Sequence, residues 1–220
     1  VTITLASSNP AEGTVNPTSL TFTSGNWNSL QTATITGVDD DVDDDNVTYT
    51  ITTGTATSTD AKYNGLNPPD VSATNIDNDD AGVAVSPYEG LYTTEAGGTA
   101  TFTMKLTSKP TANVSITLVS LNTNEGVVSP STVPFTPDNW NTNQTITVTG
   151  MDDDVDDDNV AYTIQTQPCI SSDPKYDGLN PVDVSLTNID NDNAGYILSQ
   201  QNITYSESDS PVSVTYRLSS

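Results

Sequence analysis

Apolar and polar residues alternate over most of this sequence, so that every second position of a segment is apolar. In residues 100–106, for example, Ala, Phe, Met and Leu are separated by single Thr or Lys residues. This spacing is typical of β-strands, whereas an amphipathic helix has a period of about 3.6 residues. No segment has a helical period. The alternation predicts seven strands, near residues 83–86, 100–106, 114–118, 132–136, 145–149, 160–164 and 182–186.

Turn residues separate these runs, among them Gly97-Gly98, Glu125-Gly126 and the Gly-Leu-Asn-Pro of 178–181. Seven short strands within about 110 residues are typical of a sandwich of two antiparallel sheets. The sequence therefore predicts an all-β fold.

The sequence also repeats itself at a spacing of 113 residues. Residues 22–28 return as residues 135–141, and residues 37–46 return as residues 150–159. A third copy begins at Ala194. Self-similarity at a fixed spacing is the signature of a repeat architecture, so we predict one sandwich for each repeat.

The repeat divides the sequence into three predicted segments. Residues 1–80 correspond to the C-terminal part of a repeat, residues 81–193 to one complete repeat, and residues 194–220 to the N-terminal part of a following repeat. The sequence contains no signal peptide and starts within a strand pattern, as we expect of an interior segment of a mature protein. Two arrangements remain open. The segments belong to a longer covalent array, which we prefer, or separate chains complement one another head to tail.

The charge is strongly one-sided, with 29 acidic residues, 5 basic residues and a formal net charge of −24. Nucleic acids and anionic membrane surfaces are polyanions, so repulsion argues against both as partners. No apolar run approaches the roughly 20 residues of a membrane-spanning helix, and we predict no membrane insertion. The sequence has no His and one Cys, Cys169, which leaves neither a disulfide framework nor a thiolate paired with a base. We therefore predict that the protein is not an enzyme.

Most acidic residues fall into two kinds of cluster. Residues 39–46 and 152–159 each hold six Asp, and shorter clusters at 77–80 and 190–193 close each repeat. Carboxylates this close repel one another, and Ca²⁺ relieves that repulsion because it accepts six to eight oxygen ligands at flexible geometry. The lack of His and of paired Cys argues against zinc and copper, and magnesium is the weaker candidate. The alternative is that the Asp runs are solvated acidic loops.

Three motifs of the complete repeat resemble the Calx-β domain. They are Glu95 followed by Ala-Gly-Gly, the strand that leads into residues 152–159, and the closing Ile-Asp-Asn-Asp of 189–192. The resemblance covers the complete repeat and both fragments. It implies tandem immunoglobulin-like antiparallel β-sandwich repeats of about 113 residues, with several calcium ions clustered at one end of each. The sequence departs from the family pattern in its shorter, Asp-rich loop and in the Asn-Trp-Asn element at 26–28.

By position, the resemblance implies calcium ligands in all three segments. In the complete repeat they are Glu95, Asp152, Asp153, the Val155 carbonyl, Asp156, Asp157, Asp158, Asp190 and Asp192. In the first segment they are Asp39, Asp40, the Val42 carbonyl, Asp43, Asp44, Asp45, Asp77, Asp79 and Asp80. In the third segment, Glu207 takes the place of Glu95.

Together these features predict a structural segment of an extracellular or cell-surface filament or adhesin stalk, in which calcium stiffens the domain junctions. Its partners would be neighbouring repeats of the same array or identical subunits of a filament. The alternative is a calcium-dependent adhesion module that binds a glycan or a partner protein, either through loops opposite the calcium end or through the loops carrying Trp27 and Trp140. Large amphipathic rings also cap the open end of a sandwich well, and we prefer that role for both Trp side chains.

Overall fold

The computed structural model describes residues 1–208 and 210–220, and these residues form eighteen β-strands and no helix. The predicted all-β class is therefore confirmed. The described residues fall into two compact units, Val1–Asp80 and Ala81–Ser220. None of them forms a helix long and apolar enough to span a bilayer.

The second unit contains the complete repeat, in which ten strands are described. They are β7 (Val83–Ser86), β8 (Leu91–Thr94), β9 (Thr99–Leu106), β10 (Val114–Ser120), β11 (Gly126–Ser129), β12 (Thr132–Phe135), β13 (Gln144–Gly150), β14 (Val160–Thr166), β15 (Ile170–Ser171) and β16 (Val184–Ile189).

These strands form a sandwich of two sheets. One sheet has the order β7-β9-β13-β11, and the other has the order β8-β16-β14-β10-β12, with β15 beside β10. Without β8, β12 and β15, seven strands remain, namely β7, β9, β10, β11, β13, β14 and β16. In chain order, the first, second, fourth and fifth of these form one sheet, and the third, sixth and seventh form the other. That is the immunoglobulin arrangement. Strands β8 and β16 pair in parallel, whereas the other pairs of this repeat are antiparallel.

The core lies between the two sheets and follows the alternation in the sequence. Along β9 the apolar residues are buried, and the Thr and Lys residues between them are exposed or partly exposed. Phe102, Met104 and Ile146 of one sheet pack in the same cluster as Ile116 and Ile164 of the other. Each large apolar side chain buried in this way stabilises the fold by about 1.5–3 kcal/mol.

Three strands of the complete repeat, β8, β11 and β15, lie outside the predicted set. The inward residues of β8 are Leu91 and the buried polar Thr93, which breaks the apolar alternation. Strand β11 starts at Gly126, which the sequence places in a turn. Strand β15 has two residues. In addition, β16 starts at Val184, because Val182 lies in the exposed approach to the strand.

The first unit repeats the C-terminal part of this sandwich. Its strands are β1 (Thr2–Ser7), β2 (Gly13–Asn16), β3 (Ser19–Thr21), β4 (Thr34–Gly37), β5 (Val47–Thr53) and β6 (Val71–Asn75). One sheet has the order β3-β1-β5-β6, and β2 and β4 form a separate pair. At the spacing of the repeat, these strands correspond in chain order to β10, β11, β12, β13, β14 and β16. Their small core is built from Leu5, Val15, Tyr49 and Ile51.

Residues 194–220 contain two short strands, β17 (Tyr196–Leu198) and β18 (Tyr216–Leu218), which pair antiparallel. All six of these residues are exposed. The sequence predicts these residues as a separate segment, and in the structure they belong to the second compact unit.

Candidate metal centre

Strand topology brings the acidic segments of the complete repeat to one end of the sandwich. Because β8 and β16 are parallel, Glu95 after β8 and Asp190 after β16 lie at the same edge of their sheet. Strand β14 is antiparallel to β16, so the loop that precedes it, residues 151–159, arrives at that edge as well. The Asp run and the closing acidic motif therefore meet in space, although they are distant in sequence.

Glu95 is the centre of the cluster. Its side chain is 3% exposed, and carboxylate oxygens of Glu95, Asp190 and Asp192 all lie within 4.8 Å of one another. The Asn191 amide N–H donates to Glu95 Oε2 at 3.0 Å, and the Asn191 side-chain Nδ2 donates to the same oxygen at 3.3 Å. Asn191 Nδ2 also donates to Asp152 Oδ1 at 3.0 Å, which links the buried carboxylate to the acidic loop.

Asp190 fixes the backbone around the site. Its two carboxylate oxygens accept the amide N–H of Asp192 at 2.7 Å and that of Asp158 at 3.0 Å. Its own N–H donates to Asn159 Oδ1 at 3.1 Å. Asp158 has a φ of 63°, a left-handed conformation that Asp tolerates better than most residues. These bonds fold the loop against the closing motif.

The structure also places the other predicted calcium ligands of the loop. Asp153 Oδ1 accepts the Val155 N–H at 2.8 Å, which turns the chain at the apolar residue. Asp156 Oδ2 accepts the Ala194 N–H at 2.7 Å, so the loop also holds the first residue of the following segment. Asp157 is exposed.

Mutual repulsion dominates the electrostatics. The pKa of Glu95 is raised: the Asn191 N–H, its largest single influence, lowers it, but burial and the Asp190 and Asp153 carboxylates raise it by more. Desolvation, followed by repulsion from neighbouring Asp residues, raises the pKa of both Asp157 and Asp192. Only for Asp190 do we find the opposite direction among the described residues of this cluster, because the Asp192 N–H stabilises its charged form and lowers its pKa.

A second buried carboxylate, Glu125, borders the cluster and was not among the predicted ligands. It lies just before β11 and accepts Asn188 Nδ2 at 3.4 Å. Asn188 Nδ2 also donates to the Met151 carbonyl at 3.0 Å, and Asn188 Oδ1 accepts the Thr93 hydroxyl at 2.9 Å. Recurrence is the signal that points to this residue, since Glu12 and Asn75 occupy the same places in the first unit.

The first unit assembles a matching cluster around a cavity of about 190 Å³. Asp77 plays the part of Asp190, because its carboxylate accepts the N–H groups of Asp44 and Asp45 at 3.0 Å each and that of Asp79 at 2.9 Å. The cavity is lined by Glu12, Gly37, Val38, Asp39, Asp40, Asp44, Asp45, Asn75, Ile76, Asp77, Asn78 and Asp79.

Three predicted residues of the first unit lie away from that cavity. Asp43 and Asp80 line a neighbouring open depression of about 360 Å³. Val42 donates its N–H to Asp40 Oδ1 at 2.8 Å and is not among the lining residues of either space. Within the cavity, desolvation and repulsion from the surrounding carboxylates raise the pKa of Asp44 and Asp79.

Glu207 is not part of the acidic cluster of the complete repeat. It is exposed between β17 and β18 and borders a surface depression whose other described lining residues are Ile203, Tyr205, Ser206, Ser210, Pro211 and Val212. None of these is acidic.

The donor chemistry of both clusters fits a hard divalent cation. Their side chains offer carboxylate and amide oxygens, and the charges that act on the shifted groups come from other carboxylates. An oxygen-rich site of this kind, set on loops that adjust their geometry, matches the ligand preference of Ca²⁺.

Cys169 is not part of these clusters and is not an activated nucleophile. Burial raises the pKa of its thiol to about 11.

The sequence matches no family model and no curated protein sequence. Among solved structures, the chain is similar to the apo form of the Calx CBD1 domain, with 14% identity, a TM-score of 0.38, and coverage of 50% of this chain and 96% of that one. It is also similar to domains 4 and 5 of the S-layer protein SbsC, with 20% identity, a TM-score of 0.38, and coverage of 85% and 76%. A longer piece of SbsC, residues 31–844, gives 17% identity and a TM-score of 0.40, with 98% of this chain and 28% of that chain covered. At such identities the likeness concerns the fold alone.

Proposed function

We propose that this chain is a structural segment of a secreted or cell-surface array of Calx-β-type sandwich repeats, in which Ca²⁺ bound at the acidic clusters stabilises each repeat and stiffens its junction with the next. The observation that carries the proposal is Glu95. A carboxylate that is 3% exposed, within 4.8 Å of two further carboxylates, is costly to keep charged unless a cation joins them.

Calcium is the cation that best suits these donors. Glu95, Asp190 and Asp192 would hold it from the closing side, and Asp152 and Asp153 from the loop. Bound Ca²⁺ supplies positive charge that offsets their repulsion. Zinc and copper favour His and Cys ligands, and the sequence has no His.

Two features support a role at the junction between repeats. The closing motif at 190–193 is followed after two residues by β17, so little chain separates one repeat from the next. In addition, the Asp156 carboxylate accepts the Ala194 N–H, which ties the acidic loop to the start of the next segment. A cation that orders the loop would therefore also order the exit of the chain.

The alternative adhesion function needs an open aromatic platform. In the complete repeat, Trp140 is partly buried against the core and Tyr176 is buried. The rings that would stack on a sugar serve packing there, so we favour the structural role.

The proposal is tested by thermal unfolding in Ca²⁺ and in EDTA. A Trp27→Phe background leaves Trp140 as the single Trp, so that its fluorescence reports the complete repeat alone. A ligand that binds only the folded state at a hundredfold excess over Kd adds about 2.7 kcal/mol, which corresponds to a rise in Tm of roughly 10 °C.

Asp152→Asn with Asp153→Asn should remove most of that rise. The matched control, Asp39→Asn with Asp40→Asn in the first unit, should leave the Trp140 transition unchanged. Identical melting curves in Ca²⁺ and in EDTA would refute the calcium proposal.

A further inference from the structure

One buried amide side chain lies among the strand ends that carry the acidic cluster of the complete repeat. Asn188 is on β16, and its side chain is 1% exposed. It occupies an inward position, where Val184 and Leu186 of the same strand bury apolar side chains. Burying an amide costs free energy unless its donors and its acceptor are hydrogen-bonded. The partners of Asn188 therefore indicate what a polar side chain does at this position.

These partners fix the orientation of the amide. Asn188 Nδ2 donates to the Met151 carbonyl at 3.0 Å and to Glu125 Oε2 at 3.4 Å. A carbonyl and a carboxylate accept hydrogen bonds and donate none, so the amide nitrogen must face this side. The amide oxygen then faces the other side, where it accepts the Thr93 hydroxyl at 2.9 Å. An amide supplies both a donor and an acceptor, whereas a carboxylate of the same size offers acceptors only.

Each contact of this amide lies next to a part of the acidic cluster. The Asp run begins directly after Met151. Thr93 is two residues before Glu95, at the end of β8. Asn188 itself is two residues before Asp190, at the end of β16. One side chain thus connects the ends of two strands with the start of the acidic loop.

The backbone around Asn188 leaves little room for another arrangement of its amide. A Cβ atom at Gly150 would lie 2.6 Å from Asn188 Oδ1 and 2.3 Å from the Thr94 carbonyl oxygen. Both distances are too short for real atoms, so Gly at this position lets the amide pack directly against the end of β13. The Met151 N–H also donates to the Glu125 carbonyl at 3.0 Å, which joins the two residues that the amide contacts.

The same arrangement occurs in the first unit. Asn75 Nδ2 donates to the Val38 carbonyl at 2.8 Å and to Glu12 Oε2 at 3.3 Å. A Cβ atom at Gly37 would lie 2.6 Å from Asn75 Oδ1. Asn75 and Glu12 both line the cavity of that unit's acidic cluster. An amide with the same two kinds of partner therefore accompanies both clusters.

We propose that Asn188 is a positioning residue of the metal centre. It holds Glu125, the start of the acidic loop and the end of β8 in the arrangement in which the carboxylates converge on an ion. The inference rests on the calcium function proposed above and adds a residue that does not itself contact the ion. Its three hydrogen bonds need no cation, so they hold the loop before the ion binds. Replacing residues that hydrogen-bond around a metal site typically weakens metal binding by about 10–100-fold.

Calcium titration of the full chain tests this role. A background of Asp39→Asn with Asp40→Asn weakens the first cluster, so that the titration reports the complete repeat. Asn188→Ala should weaken Ca²⁺ binding by roughly 10–100-fold. Thr93→Val removes one of the three bonds while preserving the shape of the side chain, and it should weaken binding by a smaller factor. This milder variant keeps the test decisive if Asn188→Ala does not fold.

Tyr176→Phe is the matched control. It removes the buried hydroxyl that bonds to Ser108, a residue outside the acidic cluster, and should leave the Kd for Ca²⁺ unchanged. A role of Asn188 in stability alone would give the same Kd in all these variants, because binding is measured on folded protein.

Hydrogen exchange in EDTA separates this inference from the calcium proposal. Without the bonds of Asn188, the start of the loop should open more often, and the Met151 amide should exchange about tenfold faster in Asn188→Ala. Its exchange should be unchanged in Tyr176→Phe, because opening of the loop does not break the bonds of that hydroxyl.

An affinity for Ca²⁺ that is the same in the unchanged protein, in Asn188→Ala and in Thr93→Val would overturn the inference. An equal loss of affinity in Tyr176→Phe would do so as well, and so would Met151 exchange in EDTA that does not respond to Asn188→Ala. If the unchanged chain binds no Ca²⁺, the calcium proposal fails, and the Met151 exchange alone then decides whether Asn188 holds the loop.

Discussion

Residues 1–80 and residues 114–193 have closely similar sequences and the same strand order, yet several of their matching side chains are buried to different degrees. Val71 is 48% exposed, and its counterpart Val184 is fully buried. Tyr63 is 50% exposed, and its counterpart Tyr176 is 1% exposed. The complete repeat adds β7, β8 and β9 to these residues. The difference shows that neighbouring strands, more than the sequence of a strand itself, decide what that strand buries.

Other matching side chains are buried in both units. Tyr49 and Tyr162 are buried in both units, as are Ile51 and Ile164. These side chains lie on β5 and β14, which in both units have a strand on either side. The part of the fold that needs no added strand is therefore the same in both units.

The largest difference in stability is expected from a matched pair of core substitutions. Val184→Ala should destabilise the complete repeat by about 2 kcal/mol, because it removes buried methyl groups and leaves a cavity. Val71→Ala should cost the first unit much less, since that side chain is half exposed. Urea unfolding followed by Trp140 or Trp27 fluorescence, each with the other Trp changed to Phe, measures the two effects separately. Equal losses would contradict the comparison.

A smaller difference is expected from the two Tyr hydroxyls. Tyr176→Phe removes the bonds to Ser108 and should cost about 1 kcal/mol in the complete repeat. Tyr63→Phe should leave the unfolding of the first unit nearly unchanged, because that side chain is 50% exposed. Equal costs of the two substitutions, measured by urea unfolding, would contradict the comparison.

The smallest effect concerns pH. The pKa values of Glu95, Asp157 and Asp192 are raised in the folded protein, so their stabilising contribution is complete below the ordinary carboxyl pKa of about 4 and is lost as pH rises through the folded values. The pKa of Asp190 is lowered, so its contribution to stability changes with pH in the opposite direction and offsets the other three. In EDTA, acidification from pH 7 towards pH 4 should therefore raise the Tm of the complete repeat by a few degrees.

In the presence of Ca²⁺, the Tm should change with pH in the opposite direction. Protons compete with a bound cation for the same oxygens, so acidification in saturating Ca²⁺ should lower the Tm. Melting curves of the Trp27→Phe chain over this pH range measure both trends. Parallel trends in Ca²⁺ and in EDTA would show that the titrating carboxylates are not the ones that hold the ion.

The sequence predicted the sandwich well because its inner strands alternate strictly. Strand β9 has an apolar residue at each inward position, and the alternation predicted it at 100–106. Strand β8 could not be found in this way, because its inward Thr93 hydrogen bonds within the buried polar network of Asn188 and Tyr162. A strand that buries polar groups against one another has no apolar period.

The candidate site was predicted only in part, for a related reason. The Asp runs are conspicuous in the sequence, and the structure brings them together with Glu95. Glu125 is a single acidic residue beside Gly126, and a solvated turn would have the same local sequence. Its burial depends on Asn188, which lies 63 residues away and donates to it. A contact between residues so far apart in sequence produces no local pattern. The signal in the sequence is that Glu125 recurs as Glu12 in the first unit.

Calorimetric titration of the intact chain with Ca²⁺ tests the central claim most directly. Both clusters offer Asp carboxylates, but the buried Glu95 belongs to the complete repeat, and residues 1–80 hold no counterpart of it. We therefore expect two classes of site, the weaker in the range of about 10⁻⁴–10⁻³ M that is typical of extracellular modules. Glu95→Gln should abolish the tighter class and leave the weaker one. Absence of calcium binding, or a Glu95→Gln chain that binds as the unchanged protein does, would contradict the account.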